Sequence, residues 1–186
     1  MDAEKNAVGT VAELMVLAAR TAPKGKGVDT ILCRVLKARE ITALAGRLAE
    51  LGERRKIGFF LRDAKNIAAA GGCVLIGAKG TVTAGIDCGA CGFLTCTAMA
   101  EACRNRTGGD TFFSGPNCAV RMADLGIAIG SAVKTAQIHN LDNRIMYSGG
   151  AAALDLGLLG EECTVAYAIP LSATGKNIFF DRERQR

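Results

Sequence analysis

The chain has 186 residues, of which 49% are hydrophobic and 22% charged, with a net charge of +5 at pH 7. We expect one globular α+β domain over residues 1–186, because this composition supports a substantial core. We expect no membrane span, since charged residues interrupt the longest apolar stretch, Ala119 to Ile138. We expect no nucleic-acid binding either: the positive runs at 54–56 and in the C-terminal tail carry no interleaved aromatics and are interpreted as solvated.

The elements follow from apolar periodicity and from turn residues. In chain order they are a helix over 7–21, a strand over 30–36, helices over 39–51 and 59–70, a strand over 73–77, a cysteine-rich loop, helices over about 95–104, 118–138 and 142–159, and a strand over 163–171. The last helix is expected to be loosened at Gly149 and Gly150. With few strands and many helices, the predicted architecture is a small central sheet flanked by helices.

Eight cysteines are the most unusual feature of the composition. The chain starts Met-Asp-Ala-Glu-Lys, with no basic start before an apolar run, so we expect no signal peptide and a cytoplasmic location. Disulfides are therefore not expected. Four cysteines fall within sixteen residues, at positions 88, 91, 96 and 103. This clustering indicates a metal site.

The segment DCGACGFLTC, residues 87–96, carries the chemistry. A Cys-x2-Cys spacing lets Cys88 and Cys91 reach one metal centre from a single tight turn. Gly89 and Gly92 allow that turn and leave backbone N–H groups free to donate to cluster sulfurs. Cys96 is predicted in the first turn of a helix, whose positive end favours a thiolate.

A fourth ligand has two candidates. Cys103 lies seven residues after Cys96, which on a helix is about 10 Å along the axis and too far for one cluster without a bend. Cys118 follows a turn stiffened by Pro116 and stands near the start of another helix. We therefore predict a [4Fe-4S] cluster held by Cys88, Cys91, Cys96 and Cys118, within an insert at about 85–120, with Cys103 as the alternative fourth ligand.

Other readings of the cysteines remain open. Structural zinc sites usually have paired knuckles, whereas this chain has one Cys-x2-Cys pair and a single histidine. A redox-active Cys-x-x-Cys motif does not need the third cysteine. Cys33, Cys73 and Cys163 lie in apolar, strand-like segments and are interpreted as buried packing residues.

Two acidic residues have open roles. Asp87, beside the first ligand, is interpreted as a turn-former rather than a catalyst. Asp124, on the predicted long helix, is either a polar surface residue or an acid of the site, and the sequence does not decide between them.

The stretch DCGACGFLTCTAMAEAC resembles the four-cysteine [4Fe-4S] domain of corrinoid iron–sulfur proteins and Rnf-type electron-transport subunits. It departs from that domain in the twenty-one residues between Cys96 and Cys118. Nearly the whole chain resembles a family of prokaryotic "ferredoxin domain" proteins, the domain of unknown function 2148. The residues that carry this likeness are AARTAPKGKGVDT, the cysteine loop, GPNCAVRMADLGIAIGSAVKTA and IPLSATGKNIFFDR.

Outside the cysteine loop the chain also resembles flavin nitroreductases, in MVLAARTAPKGKGVD, in MADLGIAIGSAVKTAQIHNL and from Gly149 to Pro170. That resemblance implies a nitroreductase-like α+β fold, a homodimer with its sites at the interface, and FMN. The arginine-rich opening that grips the flavin phosphate in those proteins is missing here. Lys24, Lys26, Lys176 and Arg182 are the candidate phosphate partners, and the alternative is that they belong to an ordinary exposed loop and tail.

Two functional hypotheses follow. In the first, the protein is an iron–sulfur oxidoreductase whose cluster exchanges electrons with a flavin or a substrate at a dimer interface. In the second, it is a non-enzymatic redox carrier or sensor that serves a partner protein. Bound FMN would separate the two. A zinc-stabilised scaffold remains the third reading and predicts zinc without iron or sulfide.

Overall fold

The computed structural model describes residues 3–180, which form six α-helices around a four-stranded antiparallel sheet. The elements are α1 (Ala3–Thr21), β1 (Ile31–Val35), α2 (Ala38–Arg55), α3 (Gly58–Ala68), β2 (Gly72–Ala78), α4 (Cys96–Arg104), α5 (Ala119–Ile138), β3 (Asp142–Asn143), α6 (Tyr147–Asp155) and β4 (Val165–Ser172). The predicted mixture of several helices and a small sheet is confirmed.

The sheet has the strand order β1-β2-β4-β3, so β2 and β4 are the inner strands. The sequence of β2 is continuously apolar because this strand is covered on both faces. Val74 and Ile76 pack into one hydrophobic cluster, while Cys73 and Leu75 pack into another on the opposite side.

Two layers of helices cover the two faces. The helices α1 and α5 pack together over one face, with Met15, Ala128 and Ala132 buried between them and the sheet. The helices α2, α3 and α6 cover the other face, where Leu44 and Phe60 are fully buried. None of the helices within residues 3–180 is long and apolar enough to cross a membrane.

The predicted helix over 142–159 is wrong in its first part. Asp142 and Asn143 form the short strand β3, which pairs with the end of β4, and Met146 forms an isolated bridge to Ala168. The backbone hydrogen bonds of this stretch therefore go to the sheet, and α6 begins only at Tyr147. Long-range pairing overrides the local apolar pattern here.

The two glycines of α6 allow close packing and do not loosen the helix. A Cβ at Gly150 would stand 1.8 Å from the carbonyl oxygen of Ala166, and one at Gly149 would stand 2.5 Å from the Cβ of Ala168. Helix α6 therefore lies directly on the backbone of β4, which only glycine permits.

We expect Gly150→Ala to destabilise the protein by about 3 kcal/mol or more, because the added methyl group meets backbone that cannot move aside. The free energy of unfolding, measured by urea denaturation, checks this. Gly46→Ala is the matched control: it lies in α2 with open space around its Cβ position and should stabilise by about 0.5–1 kcal/mol. Equal effects of the two substitutions would contradict the packing account.

Candidate metal centre

The cysteine loop connects the end of β2 to the start of α4 and contains several left-handed residues. Asp87, Gly89 and Gly92 have φ values of 45°, 69° and 86°. A backbone hydrogen bond of 2.9 Å from the N–H of Gly92 to the carbonyl of Gly89 closes the turn that contains Cys91. The two glycines thus have the turn geometry expected from the sequence.

The carboxylate of Asp87 closes the loop onto α4. Its Oδ1 accepts a hydrogen bond of 2.6 Å from the backbone N–H of Cys96, the first residue of that helix. The N-cap residue Thr95 accepts from the N–H of Ala98 at 3.1 Å. These contacts satisfy two of the free N–H groups at the helix start and hold Cys96 at its positive end.

We expect Asp87→Ala to let a chelator remove iron about fivefold faster than from the wild type, because a lost cap of this kind costs roughly 1 kcal/mol. Asp87→Asn is the matched control, since its amide oxygen can still accept the N–H of Cys96. The rate of iron transfer to a coloured chelator measures the effect. An unchanged rate in Asp87→Ala would show that the contact does not hold the loop.

Three cysteines belong to or pack against a small hydrophobic cluster that contains the buried Met99 of α4. Cys118 is 4% exposed and belongs to the same small hydrophobic cluster as Met99, while Cys91 and Cys103 are half-buried and pack against that cluster. Cys118 is the N-cap residue of α5, and its N–H donates to the carbonyl of Gly80 at 2.8 Å. The loop cysteine Cys91 therefore packs against the same small cluster as both candidates for the fourth ligand.

Burial and nearby charged groups both affect the pKa of the Cys103 thiol. Burial raises the pKa of its thiol, the nearby Arg106 and Arg104 lower that pKa, and Cys91 raises it further. Its Sγ donates a weak hydrogen bond of 3.4 Å to the carbonyl of Pro116. The sequence argument, which measured only the distance from Cys96, did not anticipate this contact with the segment before α5.

Cys88 and Cys96 stand apart from that group. Cys88 is exposed, and Cys96 lines a shallow opening that it shares with Asp87 and Arg104. Within residues 3–180, no three His, Cys, Asp or Glu side chains come together closely enough to hold a metal ion. The predicted ligand set is thus carried by one loop and two helix starts, and its members are not in contact as one group.

The chemistry of the donor set fits an iron–sulfur cluster. All eight cysteines are free thiols. Thiolate sulfur is the ligand that such clusters take, and five of these cysteines lie in or near the loop: Cys88 and Cys91 in the loop itself, Cys96 and Cys103 at the start and near the end of α4, and Cys118 as the N-cap residue of α5. By contrast, burial raises the pKa of the Cys73 thiol to about 12 and that of Cys163 to about 11. Cys73 and Cys163 are buried and Cys33 is half-buried in β1, which fits their predicted packing role.

The lysines predicted for a flavin phosphate lie in different surroundings. The Lys24 side chain is 6% exposed, and its ammonium donates to the carbonyls of Ala19, Arg20 and Ala22 at the end of α1. Lys26 is exposed, with its Nζ about 4.0 Å from the Cβ position of Gly85 before the cysteine loop. Lys176 is exposed on the last turn segment, and Arg182 lies outside the described residues.

Asp124, whose role the sequence leaves open, belongs to a buried ion pair with Arg121. Arg121 is 1% exposed and its Nη1 lies 3.0 Å from Oδ2 of Asp124, one helical turn further on in α5. Arg121 also donates to the carbonyls of Gly25, Val28 and Val82, and the N–H of Gly25 donates to Asp124. Asp124 is therefore a structural carboxylate. The i,i+3 spacing of opposite charges within an apolar helix was the available signal.

Comparison with known proteins identifies one close relative in sequence. A protein of Archaeoglobus fulgidus named "Uncharacterized protein" is 43% identical over 181 residues, covering 97% of this chain and 95% of the relative. The family model described as "Uncharacterized protein containing a ferredoxin domain (DUF2148)" matches residues 114–182. That match includes Cys118 and begins after the cysteine loop.

The solved structures that resemble this chain share its fold at low sequence identity. An FMN-dependent nitroreductase from Clostridium difficile is 14% identical to this chain. Its TM-score is 0.54, and the alignment covers 90% of this chain and 76% of that one. Nitroreductase A from Vibrio parahaemolyticus has a TM-score of 0.55 at 11% identity, covering 95% of this chain and 60% of that one. The NADPH:FMN oxidoreductase from Vibrio harveyi, complexed with NAD+, also has a TM-score of 0.55 at 11% identity, with shares of 90% and 60%. The predicted nitroreductase-like fold is confirmed.

Proposed function

Since this chain belongs to the DUF2148 family of proteins containing a ferredoxin domain, we propose that it is an iron–sulfur redox protein with a [4Fe-4S] cluster on Cys88, Cys91, Cys96 and Cys118. The family and the nitroreductase-like fold both indicate a redox role. The observation that carries the proposal is that Cys91 and Cys118 share one small hydrophobic cluster, beside a loop with several left-handed residues. Free thiols of this number are typical of the cytoplasm, where we place the protein.

The chain's own groups would have separate tasks at this centre. Cys88 and Cys91 come from one turn, in which the N–H of Gly89 can donate to sulfur while that of Gly92 closes the turn. Cys96 and Cys118 stand at the starts of α4 and α5, whose positive ends would favour an anionic cluster. A bound cluster would supply one-electron transfer, and the Gly89 N–H and the two helix starts are the groups that would tune its potential.

We also propose that FMN binds near the exposed lysines, as an electron partner of the centre. The fold shared with an FMN-dependent nitroreductase supports this, as do the positions of Lys26 before the cysteine loop and Lys176 after β4. Lys24 could grip a phosphate only by giving up its three carbonyl acceptors. Quenching of FMN fluorescence on titration with the protein tests the proposal, with Lys26→Gln expected to weaken binding and Lys5→Gln expected to leave it unchanged.

The dimer expected from the fold would use the outer surface of α5. A groove of about 340 Å³ there is lined by Met122, Gly126, Ile129, Gly130, Ile145 and Tyr167. Ile127 and Ile145 are 45% and 43% exposed beside it, an apolar surface that a second copy of this chain would cover. Light scattering should give twice the mass of the chain, and a monomer at micromolar concentration would contradict the proposed dimer.

The redox proposal is tested by reduction without oxygen. We expect the protein to bleach on addition of dithionite and to give the electron paramagnetic resonance signal of a reduced cluster. If FMN copurifies, the oxidoreductase hypothesis is favoured. If FMN neither copurifies nor binds, the carrier or sensor hypothesis is favoured, in which the centre passes electrons to a partner protein.

A further inference from the structure

A cleft of about 540 Å³ lies between the end of α2, the segment 106–115 and the end of α6. This volume falls within the range of roughly 300–1,000 Å³ that is typical of small-molecule sites. One part of its rim is the basic run 54–56, which the sequence predicts to be solvated, and the other is the glycine-containing connection before α5. The structure brings them together face to face.

The charges that line the cleft are not balanced. It contains Arg54, Arg55 and Arg106, together with two carboxylates. Each carboxylate already has an arginine partner: Asp110 pairs with Arg55, and Asp155 pairs with Arg47 outside the cleft. Among residues 3–180, no carboxylate pairs with Arg54 or Arg106. Two guanidinium groups are therefore available to an anion in the cleft.

The backbone of the rim is available as well. Within the described part of the chain, no N–H group of residues 106–113 donates a hydrogen bond. Gly108 lines the cleft with open space at its Cβ position, and at Gly109 the nearest contact is 4.0 Å away, so a ligand can approach the backbone closely. Unpaired N–H groups beside arginines are the donors that oxyanions of phosphate or carboxylate groups require.

One wall of the cleft is aromatic and fixed. The guanidinium of Arg55 stacks 4.7 Å from the ring centroid of Phe112, which in turn packs 5.0 Å from the ring of Phe60. Phe113 packs edge-on against Tyr147 at 4.9 Å. These contacts hold a rigid apolar surface next to the two available arginines.

The cleft adjoins the cysteine centre. Arg106 lines the cleft, and its charge partly opposes the rise that burial causes in the pKa of the Cys103 thiol. Cys103 in turn packs against the same cluster as Cys91 and Cys118. The segment 106–115, which lines the cleft, therefore connects α4, which carries Cys96 and Cys103, to Cys118 at the start of α5.

We propose that this cleft binds a small organic anion, whose phosphate or carboxylate group is held by Arg54 and Arg106 and whose planar part lies on Phe112 and Phe113. The binding claim depends on the cleft alone. That this ligand is the substrate of the redox centre depends, in addition, on the proposed function.

Isothermal titration with phenyl phosphate, benzoate and neutral benzamide, at low and constant ionic strength, tests the proposal. We expect one or both anions to bind at least about tenfold more tightly than benzamide. Tight binding of phenyl phosphate alone identifies a phosphate ligand, and tight binding of benzoate alone identifies a carboxylate ligand. Anions that bind no better than benzamide overturn the proposal.

Variants locate the binding. Arg54→Gln and Arg106→Gln should each weaken anion binding about tenfold, whereas Arg39→Gln, an exposed arginine at the start of α2, should leave it unchanged. All three arginines are exposed, so folding should be retained, and thermal melting checks this. Binding that persists unchanged in the Arg54→Gln/Arg106→Gln double variant overturns the proposal. Iron content measured on the same samples shows separately whether the redox proposal fails.

Discussion

Cys91→Ser is expected to lose most of its iron and acid-labile sulfide when it is purified without oxygen. Cys91 lies in the closed turn between Gly89 and Gly92 and packs against the small cluster that contains Cys118, so the substitution removes the predicted ligand that this turn provides. A serine hydroxyl is a poor ligand for this cluster, whose irons are held by thiolates. Iron and sulfide per chain, measured beside the wild type, give the size of the loss.

The same measurement decides the fourth ligand. Cys118→Ser should lose the cluster as Cys91→Ser does, while Cys103→Ser should keep iron near the wild-type level. Cys33→Ser is the control for the loss of a half-buried thiol away from the centre, in β1. Cys103 packs against the same cluster as Cys91 and Cys118, so it is a structurally reasonable alternative ligand. If Cys103→Ser loses its iron and Cys118→Ser keeps it, the assignment of Cys118 is wrong.

Arg121→Met is expected to reduce the free energy of unfolding by about 3–5 kcal/mol. The substitution leaves the carboxylate of Asp124 buried without its cation, and it removes the donor from the carbonyls of Gly25 and Val82. A buried charge or carbonyl without a partner carries its full desolvation cost. Urea denaturation monitored by circular dichroism measures the change.

A matched surface pair tests whether burial causes this effect. Lys79 and Glu162 form an ion pair whose side chains are 32% and 72% exposed, so Lys79→Met should cost no more than about 1 kcal/mol. Adding Asp124→Leu to Arg121→Met should restore part of the loss, because the unpaired charge is removed. A cost for Arg121→Met as small as that for Lys79→Met would contradict the structural role of the pair.

Much of the fold could be predicted because it depends on local patterns. The continuous apolar run of β2 and the helical spacing in α1, α2 and α5 identify the core elements, since burial on one or both faces leaves a periodic trace. The stretch 142–159 was misjudged because its start pairs with β4, more than twenty residues away in sequence. The sequence predicts that Gly150 loosens its helix, whereas its role in close packing depends on the carbonyl of Ala166 in β4.

The features of the candidate site also differ in whether they depend on neighbouring residues or on long-range contacts. The thiols and turn glycines of 87–96 are neighbours in sequence, so their spacing alone indicates a metal ligand set. The links from Arg121 to Gly25 and Val82 join segments that only the tertiary structure brings together. The hydrogen bond from Cys103 to the carbonyl of Pro116 likewise depends on how the connection before α5 folds back.

Iron, acid-labile sulfide, zinc and flavin content of protein purified without oxygen tests the central claim most directly. The account predicts about four iron and four sulfide per chain, as expected for one [4Fe-4S] cluster. Zinc without sulfide would contradict it, and would leave a structural cysteine site on a nitroreductase-like scaffold.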